Sequence, residues 1–264
     1  MMGAKSKIEW CDSSWNPVTG CTPVSAGCIN CWAKRLAGRF PQIHGIKRFD
    51  PLYGNTNIIR EEFNKINYHE NRLDIPCHWR KPKRIFVCSM GDLFHADVSP
   101  GFVHEVFNVM LKSPQHTFLI LTKRPENISS AYNFMEWEKN FNPVLPNLWL
   151  GVSVENQDNE WRIPILLQTP AAKRFVSVEP MLGPVDSWKI IANETHHADH
   201  PPDPLIADID WVICGPETGP GARPMNLDWA RSLRDQCVAA GVPFFYKRGE
   251  LDGQLWHQFP KGRL

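Results

Sequence analysis

Short, unbroken apolar runs, each closing on a polar or charged cluster, set the strongest limit on how this chain can fold. They are Arg84–Met90 (RIFVCSM), Thr117–Thr122 (TFLILT), Leu148–Val154 (LWLGVSV), Arg174–Val178 (RFVSV), Trp211–Cys214 (WVIC) and Pro243–Tyr246 (PFFY). They are continuous rather than alternating, as strands covered on both faces should be. Helix-like segments lie between them. Ser99 as N-cap and Pro100 at the first turn open one, with Phe102, Val103, Val106, Phe107 and Met110 at helical spacing. Glu126–Asn140 and Asn156–Gln168 predict two more, and Asp228 predicts the cap of a fourth that ends at Gly241. Strand–helix alternation with right-handed crossovers builds a parallel sheet. A first strand near Asn16–Gly20 raises the count to about seven, closer to a barrel than to an open dinucleotide sheet. No GxGxxG follows any strand, so the Rossmann fingerprint is missing. The expected class is therefore α/β, a full or partial TIM-type parallel β/α barrel.

At 264 residues the chain suits one such domain. Residues 1–264 are expected to form it, with insertions at about 41–83 and 193–208. The first insertion predicts a helix over Ile58–Asn67. The second (NETHHADHPPDPLIAD) reads as an exposed excursion, and its His196, His197 and His200 read as solvated for want of a rigid frame. A net charge of +1, from 29 basic and 28 acidic residues, gives no global pull toward nucleic acid or anionic lipid. A local basic run, Arg72, Arg80, Lys81, Lys83 and Arg84, is either a solvated loop or a phosphate-contacting edge. The 11 tryptophans mostly read as core packing, with a few able to stack on a base or ring. No apolar run reaches the length of a membrane span, and MMGAKSKIEW lacks a signal-like apolar stretch. The expectation is a soluble, cytoplasmic protein with no membrane partner.

In a parallel barrel, chemistry sits at the carboxyl ends of the strands. The apolar runs end in Ser89-Met90-Gly91-Asp92, Thr122-Lys123-Arg124-Pro125, Ser153-Val154-Glu155-Asn156, Ser177-Val178-Glu179-Pro180, Gly215-Pro216-Glu217 and Lys247-Arg248. One such end has a bland explanation, since helix N-caps often carry Ser, Asp or Glu. The whole set predicts a polar rim with an active site.

The eight cysteines include one motif, Cys21-x6-Cys28-x2-Cys31, directly after the expected first strand. Clustered cysteines in a large chain without a secretion signal more often bind metal than form disulfides. Cys88, Cys214 and Cys237 lie in apolar runs or on a helix and read as small buried hydrophobes. Three thiolates on one loop can hold three irons of a [4Fe-4S] cluster and leave the fourth open. An open iron suits S-adenosylmethionine (SAM), which would receive an electron from an external donor and give a 5′-deoxyadenosyl radical. The competing reading is a structural zinc (Zn2+) site, but zinc prefers four ligands in two close pairs, and only one CxxC pair is present.

The strings Lys7–Trp10, Trp15–Cys21, Val24-Ser25 and Gly27–Cys31 resemble the phage Gp37/Gp68 family, also called DUF5131. So do Ser89–Phe94, Leu121–Pro125, Leu150–Glu155, Ser177–Pro180, Gly215–Gly219 and Leu251–Gly253. The barrel and triple cysteine further resemble the radical SAM superfamily and, distantly, DNA-repair lyases of the spore photoproduct type. The superfamily resemblance implies Cys21, Cys28 and Cys31 as cluster ligands, Gly91 and Asp92 at the SAM amino group, and Ser153 and Glu155 near the ribose. The common pattern is CxxxCxxC with an aromatic residue before the third cysteine. Here the first gap is six, Asn30 stands before Cys31, and Trp32 follows it.

The first expected function is thus a radical SAM-like iron–sulfur enzyme acting on a nucleic acid or nucleotide. Lys123, Glu179 and Glu217 are its catalytic candidates, and Arg124, Arg223 and Lys247 would bind substrate, since Lys and Arg suit phosphate or carboxylate. The alternatives are a zinc-dependent barrel hydrolase or lyase using Glu155, Glu179 and Glu217, and a non-catalytic nucleic-acid-binding protein with a structural metal site.

Overall fold

The computed structural model describes residue 6 and residues 8–45, 61–186 and 208–261. His196, His197 and His200, most of the 193–208 excursion, and the start of the helix expected over Ile58–Asn67 lie outside these residues. The chain clusters into two compact units, residues 1–149 and 150–263.

In the first unit, β1 (Ser13–Trp15) leads to β2 (Val18–Thr19), α1 (Trp32–Arg39), β3 (Asn67–Tyr68), β4 (Arg84–Val87), α2 (Pro100–Leu111), β5 (Thr117–Thr122) and α3 (Ile128–Asn133). β1, β4 and β5 pair in parallel, while β2 and β3 form a separate antiparallel ribbon. The sheet strand expected at Asn16–Gly20 lies earlier. Pro17 has no N–H for a ladder, and Asn16 Oδ1 instead accepts from the Met90 N–H at 2.9 Å. Asn67, assigned to a helix from the sequence, is a strand residue facing Thr19. β4 stops before Cys88, whose φ of 55° leaves the extended region.

α2 begins as the sequence predicts: Ser99 Oγ accepts from the Phe102 N–H at 3.2 Å. The segment expected to be helical over Glu126–Asn140 is helical: a short 3-10 turn leads into α3, which closes in a single π turn over Phe134–Glu138. Basic residues of the 72–84 run hold the fold. Arg84 pairs with Asp12 at 3.0 Å, and Arg72 donates to the Ile43 carbonyl at 3.2 Å.

The β2–β3 ribbon is pinned by a buried network. Thr19 Oγ1 lies 2.8 Å from both His44 Nδ1 and His69 Nε2. His44 Nε2 faces the Glu62 carbonyl at 3.0 Å, so it carries the proton. Thr19 then donates to His44 and accepts from His69. Burial, then the charge of Arg72 and His44, pushes His69 down to about 4.

The chain passes into the second unit within β6 (Leu148–Ser153). There α4 (Arg162–Gln168), β7 (Lys173–Val178), β8 (Trp211–Cys214), α5 (Leu227–Ala240), β9 (Phe244–Leu251) and β10 (Gln254–His257) follow. β7, β8 and β9 pair in parallel, and β9 and β10 form an antiparallel hairpin. This hairpin extends the strand expected at Pro243–Tyr246. It turns at Asp252 and Gly253, with φ of 56° and 74°, the left-handed pair that Asp-Gly adopts in tight hairpins. Asn226, not Asp228, caps α5 by accepting from the Asp228 N–H at 3.0 Å, and Gly241 ends it at φ 70°. Phe175, Val176, Trp211, Ile213, Phe244 and Phe245 fill this unit's core. The architecture is mixed α/β, with mostly parallel strands in both units.

Candidate functional site

The three motif cysteines sit on one folded loop. Gly20 turns the chain into it at φ 100°, and a Cβ there would lie 2.0 Å from the Lys65 carbonyl oxygen. The Cys21 N–H then donates to the Phe63 carbonyl at 3.0 Å. A short 3-10 turn, Ala26–Cys28, brings Cys28 N–H to the Ser25 carbonyl at 2.9 Å and Cys31 N–H to the Cys28 carbonyl at 3.3 Å. Cys31 immediately precedes α1. All three thiols are free and half-buried. Cys21 and Cys31 pack on the same apolar cluster, Ala33, Ala37, Phe63 and Met90.

The end of β5 meets this loop. Arg124 is buried, and its Nη1 donates to Cys21 Sγ at 3.3 Å and to Asp92 Oδ2 at 3.2 Å. Its Nη2 donates to the Thr22 carbonyl at 2.6 Å and to Thr22 Oγ1 at 2.9 Å. His95 Nδ1 accepts from the Asp97 N–H at 3.1 Å, so Nε2 carries the proton and donates to Thr22 Oγ1 at 2.8 Å.

Asp92 accepts from Phe94 N–H at 3.1 Å, Thr122 Oγ1 at 2.8 Å, Lys123 N–H at 3.2 Å and Arg124. Its carboxylate therefore serves as the anchor that aims Arg124 at Cys21. Gly91 makes a close backbone approach: a Cβ would lie 3.0 Å from the Gly20 carbonyl oxygen.

The thiols differ electrostatically. Burial, reinforced by the Asp92 charge, pushes Cys21 up to about 12, with Arg124 working the other way. Cys28 falls below its ordinary value. Burial opposes the shift there, but the charge of Lys123 and hydrogen bonds from the Val24 and Ser25 backbone and the Ser25 side chain outweigh it. Among the described residues no three His, Cys, Asp or Glu side chains already stand in a metal-holding arrangement. The donor chemistry nonetheless fits a thiolate-bound metal or cluster: three half-buried thiols on one loop, with cationic side chains acting on two of them.

The remaining predicted residues lie in the second unit. Glu155 is fully buried, and Arg162 Nη1 donates to its Oε2 at 2.9 Å and to the Ser153 carbonyl at 2.8 Å. Glu179 pairs with Lys247. Glu217 accepts from the Arg223 backbone N–H at 2.8 Å and its Nε at 2.9 Å, closing the 217–223 loop on itself. Glu155, Glu179 and Glu217 are thus each partnered by a cation.

Thr22 and His95 were not singled out from the sequence, and Thr122 was named only as part of the polar rim. Only their positions gave a signal, Thr22 beside Cys21 and His95 three residues after Asp92. Cys88, Cys214 and Cys237 are buried, as expected of small hydrophobes.

Fold and site together define a mixed α/β protein with a three-cysteine loop braced by an arginine. The family model "Protein of unknown function (DUF5131)" matches residues 5–260, and the chain belongs to that family. Neither the comparison with curated proteins nor that with solved structures finds a match. Among the described residues no helix is long and apolar enough to cross a membrane.

Proposed function

We propose that this protein is a radical SAM-like iron–sulfur enzyme acting on a nucleic acid or nucleotide, on a full or partial TIM-type barrel. Cys21, Cys28 and Cys31 would hold a [4Fe-4S] cluster. The observation that carries the reading is the hydrogen bond from the buried Arg124 guanidinium to Cys21 Sγ. A neutral thiol gains little from such a donor, whereas a thiolate gains a charge-assisted bond. Hydrogen bonds to ligand sulfurs also set the reduction potential of a cluster. When bound, the cluster would supply the electron that cleaves SAM.

The chain's own residues do the rest. Asp92 and Thr22 fix Arg124, Arg124 and Lys123 offset thiolate charge, and the Gly20–Gly91 approach holds the loop against the end of β4. Because Asp92 and Glu155 already accept from their own arginines, their role here is positioning. Lys123, Glu179 and Glu217 remain this reading's acid–base candidates, and Arg223 and Lys247 its phosphate-binding candidates.

The test is anaerobic purification and reconstitution with iron and sulfide, followed by metal and sulfide analysis. The expected result is a brown protein absorbing near ~400 nm that releases 5′-deoxyadenosine from SAM on reduction. One zinc with no iron overturns the cluster. A cluster that never cleaves SAM overturns the enzyme.

A further inference from the structure

Among the described residues, exposed large apolar side chains recur on the cysteine loop and at the two ends of α1: Val24 is 45% exposed, Ile29 74%, Trp32 44% and Phe40 38%. Surface hydrophobes scattered singly need no explanation, but a group of them does. The charge of the same stretch is one-sided. From Ser13 to Gly45 the sequence contains no Asp or Glu, yet α1 carries Lys34, Arg35 and Arg39. The whole chain balances 29 basic against 28 acidic residues, so this stretch departs from its average.

Helix geometry sorts α1 into faces. Ala33 and Ala37 pack inward with Phe63 and Met90. At 3.6 residues per turn, Trp32, Arg35 and Arg39 then share the opposite, outward stripe. The Arg39 guanidinium lies over the Phe40 ring, 5.3 Å from its centroid. Trp32 and Phe40, at the two ends of α1, are separated by roughly 12 Å along the helix axis.

We infer that this face binds single-stranded nucleic acid. Flat aromatic side chains interleaved with cations are the chemistry that takes an unpaired strand: bases stack on the rings and phosphates meet Lys and Arg. A duplex hides its base faces and offers Trp32 nothing to stack on. An acidic protein would use the charge but has no need of two separated ring platforms. Since Trp32 adjoins Cys31, a base seated on it lies beside the cysteine loop. The inference rests on the proposed function only for what happens to that base; the binding itself needs no cluster.

The test uses the full chain with labelled oligo(dT) and oligo(U), followed by fluorescence anisotropy over a salt series, with quenching of tryptophan emission as a second readout. The expected result is binding that weakens with salt and exceeds that of a duplex of equal length. Trp32→Ala should weaken it by about 5- to 150-fold, the equivalent of one lost stack, with the salt slope unchanged and Trp32→Phe restoring most of it. Arg35→Ala with Arg39→Ala should reduce the slope by about 1.4, for two phosphate contacts on a single strand. The triple Cys21→Ser, Cys28→Ser, Cys31→Ser protein should still bind, which separates this inference from the cluster. No binding at low salt, indifference to Trp32→Ala, or equal competition by polyglutamate would overturn it.

Discussion

Two buried arginine–carboxylate pairs use the same chemistry to different ends. Arg162 and Glu155 in the second unit are 2.9 Å apart, with side-chain exposures of 2% and 0%. Arg124 and Asp92 in the first are 3.2 Å apart, with exposures of 6% and 6%. The Arg162 pair is turned inward: its Nη1 serves Glu155 and the Ser153 carbonyl, while Nε has no hydrogen-bond partner. The Arg124 pair is turned toward a half-buried thiol and the loop that bears it. Burying two charges is costly and is offset only when geometry and extra hydrogen bonds are good. The first pair braces a fold, and the second braces the three-cysteine loop.

The sharpest break of this comparison lies in the cysteines. Replacing Cys21, Cys28 or Cys31 by Ser should remove essentially all bound iron, read by metal analysis after reconstitution, because a cluster needs every thiolate. Unchanged iron content would leave the Arg124 pair as mere structure. Glu155→Ala should come next. It strands the buried Arg162 charge and should lower unfolding stability by roughly 3–5 kcal/mol in urea titration, with iron content unaffected.

A smaller effect should follow acid. His69 has a folded value of about 4, below its ordinary 6.5. Only the unfolded chain binds that proton between these values, so stability should fall as pH drops from about 6.5 to about 4 and level off below. The loss is at most about 3 kcal/mol. Thermal melts of the parent and His69→Gln should differ in slope across that window; parallel curves would remove His69 as the cause.

The mildest change is Asp92→Asn. It should cost about 1–3 kcal/mol. The Asp92 charge raises the Cys21 value, so its removal should speed alkylation of Cys21 in metal-free protein. A slower reaction would mean that Asp92 helps the thiolate through Arg124 more than it opposes it by charge.

Much of the fold was legible because its signals are local. The runs at Thr117–Thr122 and Trp211–Cys214 are strands with those bounds, and Ser99-Pro100 starts α2. The β9–β10 hairpin was also written locally, in Asp252-Gly253, beyond the point where the apolar run fades. By contrast, Asn16 and Asn67 left their expected elements for tertiary partners, Met90 and Thr19. The cysteine motif stood out by spacing alone, yet Arg124 read as a substrate cation because it follows a strand.

The amino-acid sequence by itself determined the strand–helix alternation, the cap that starts α2, the glycine that stops α5, and three thiols on one loop. These follow from periodicity, backbone freedom and spacing over a few residues. Only the tertiary structure decided that Arg124 turns to Cys21, 103 residues away in the chain, and that Glu155 is closed off by Arg162. Which partner a buried charge takes depends on what the folded chain brings within about 3 Å of it, and no local pattern encodes that distance.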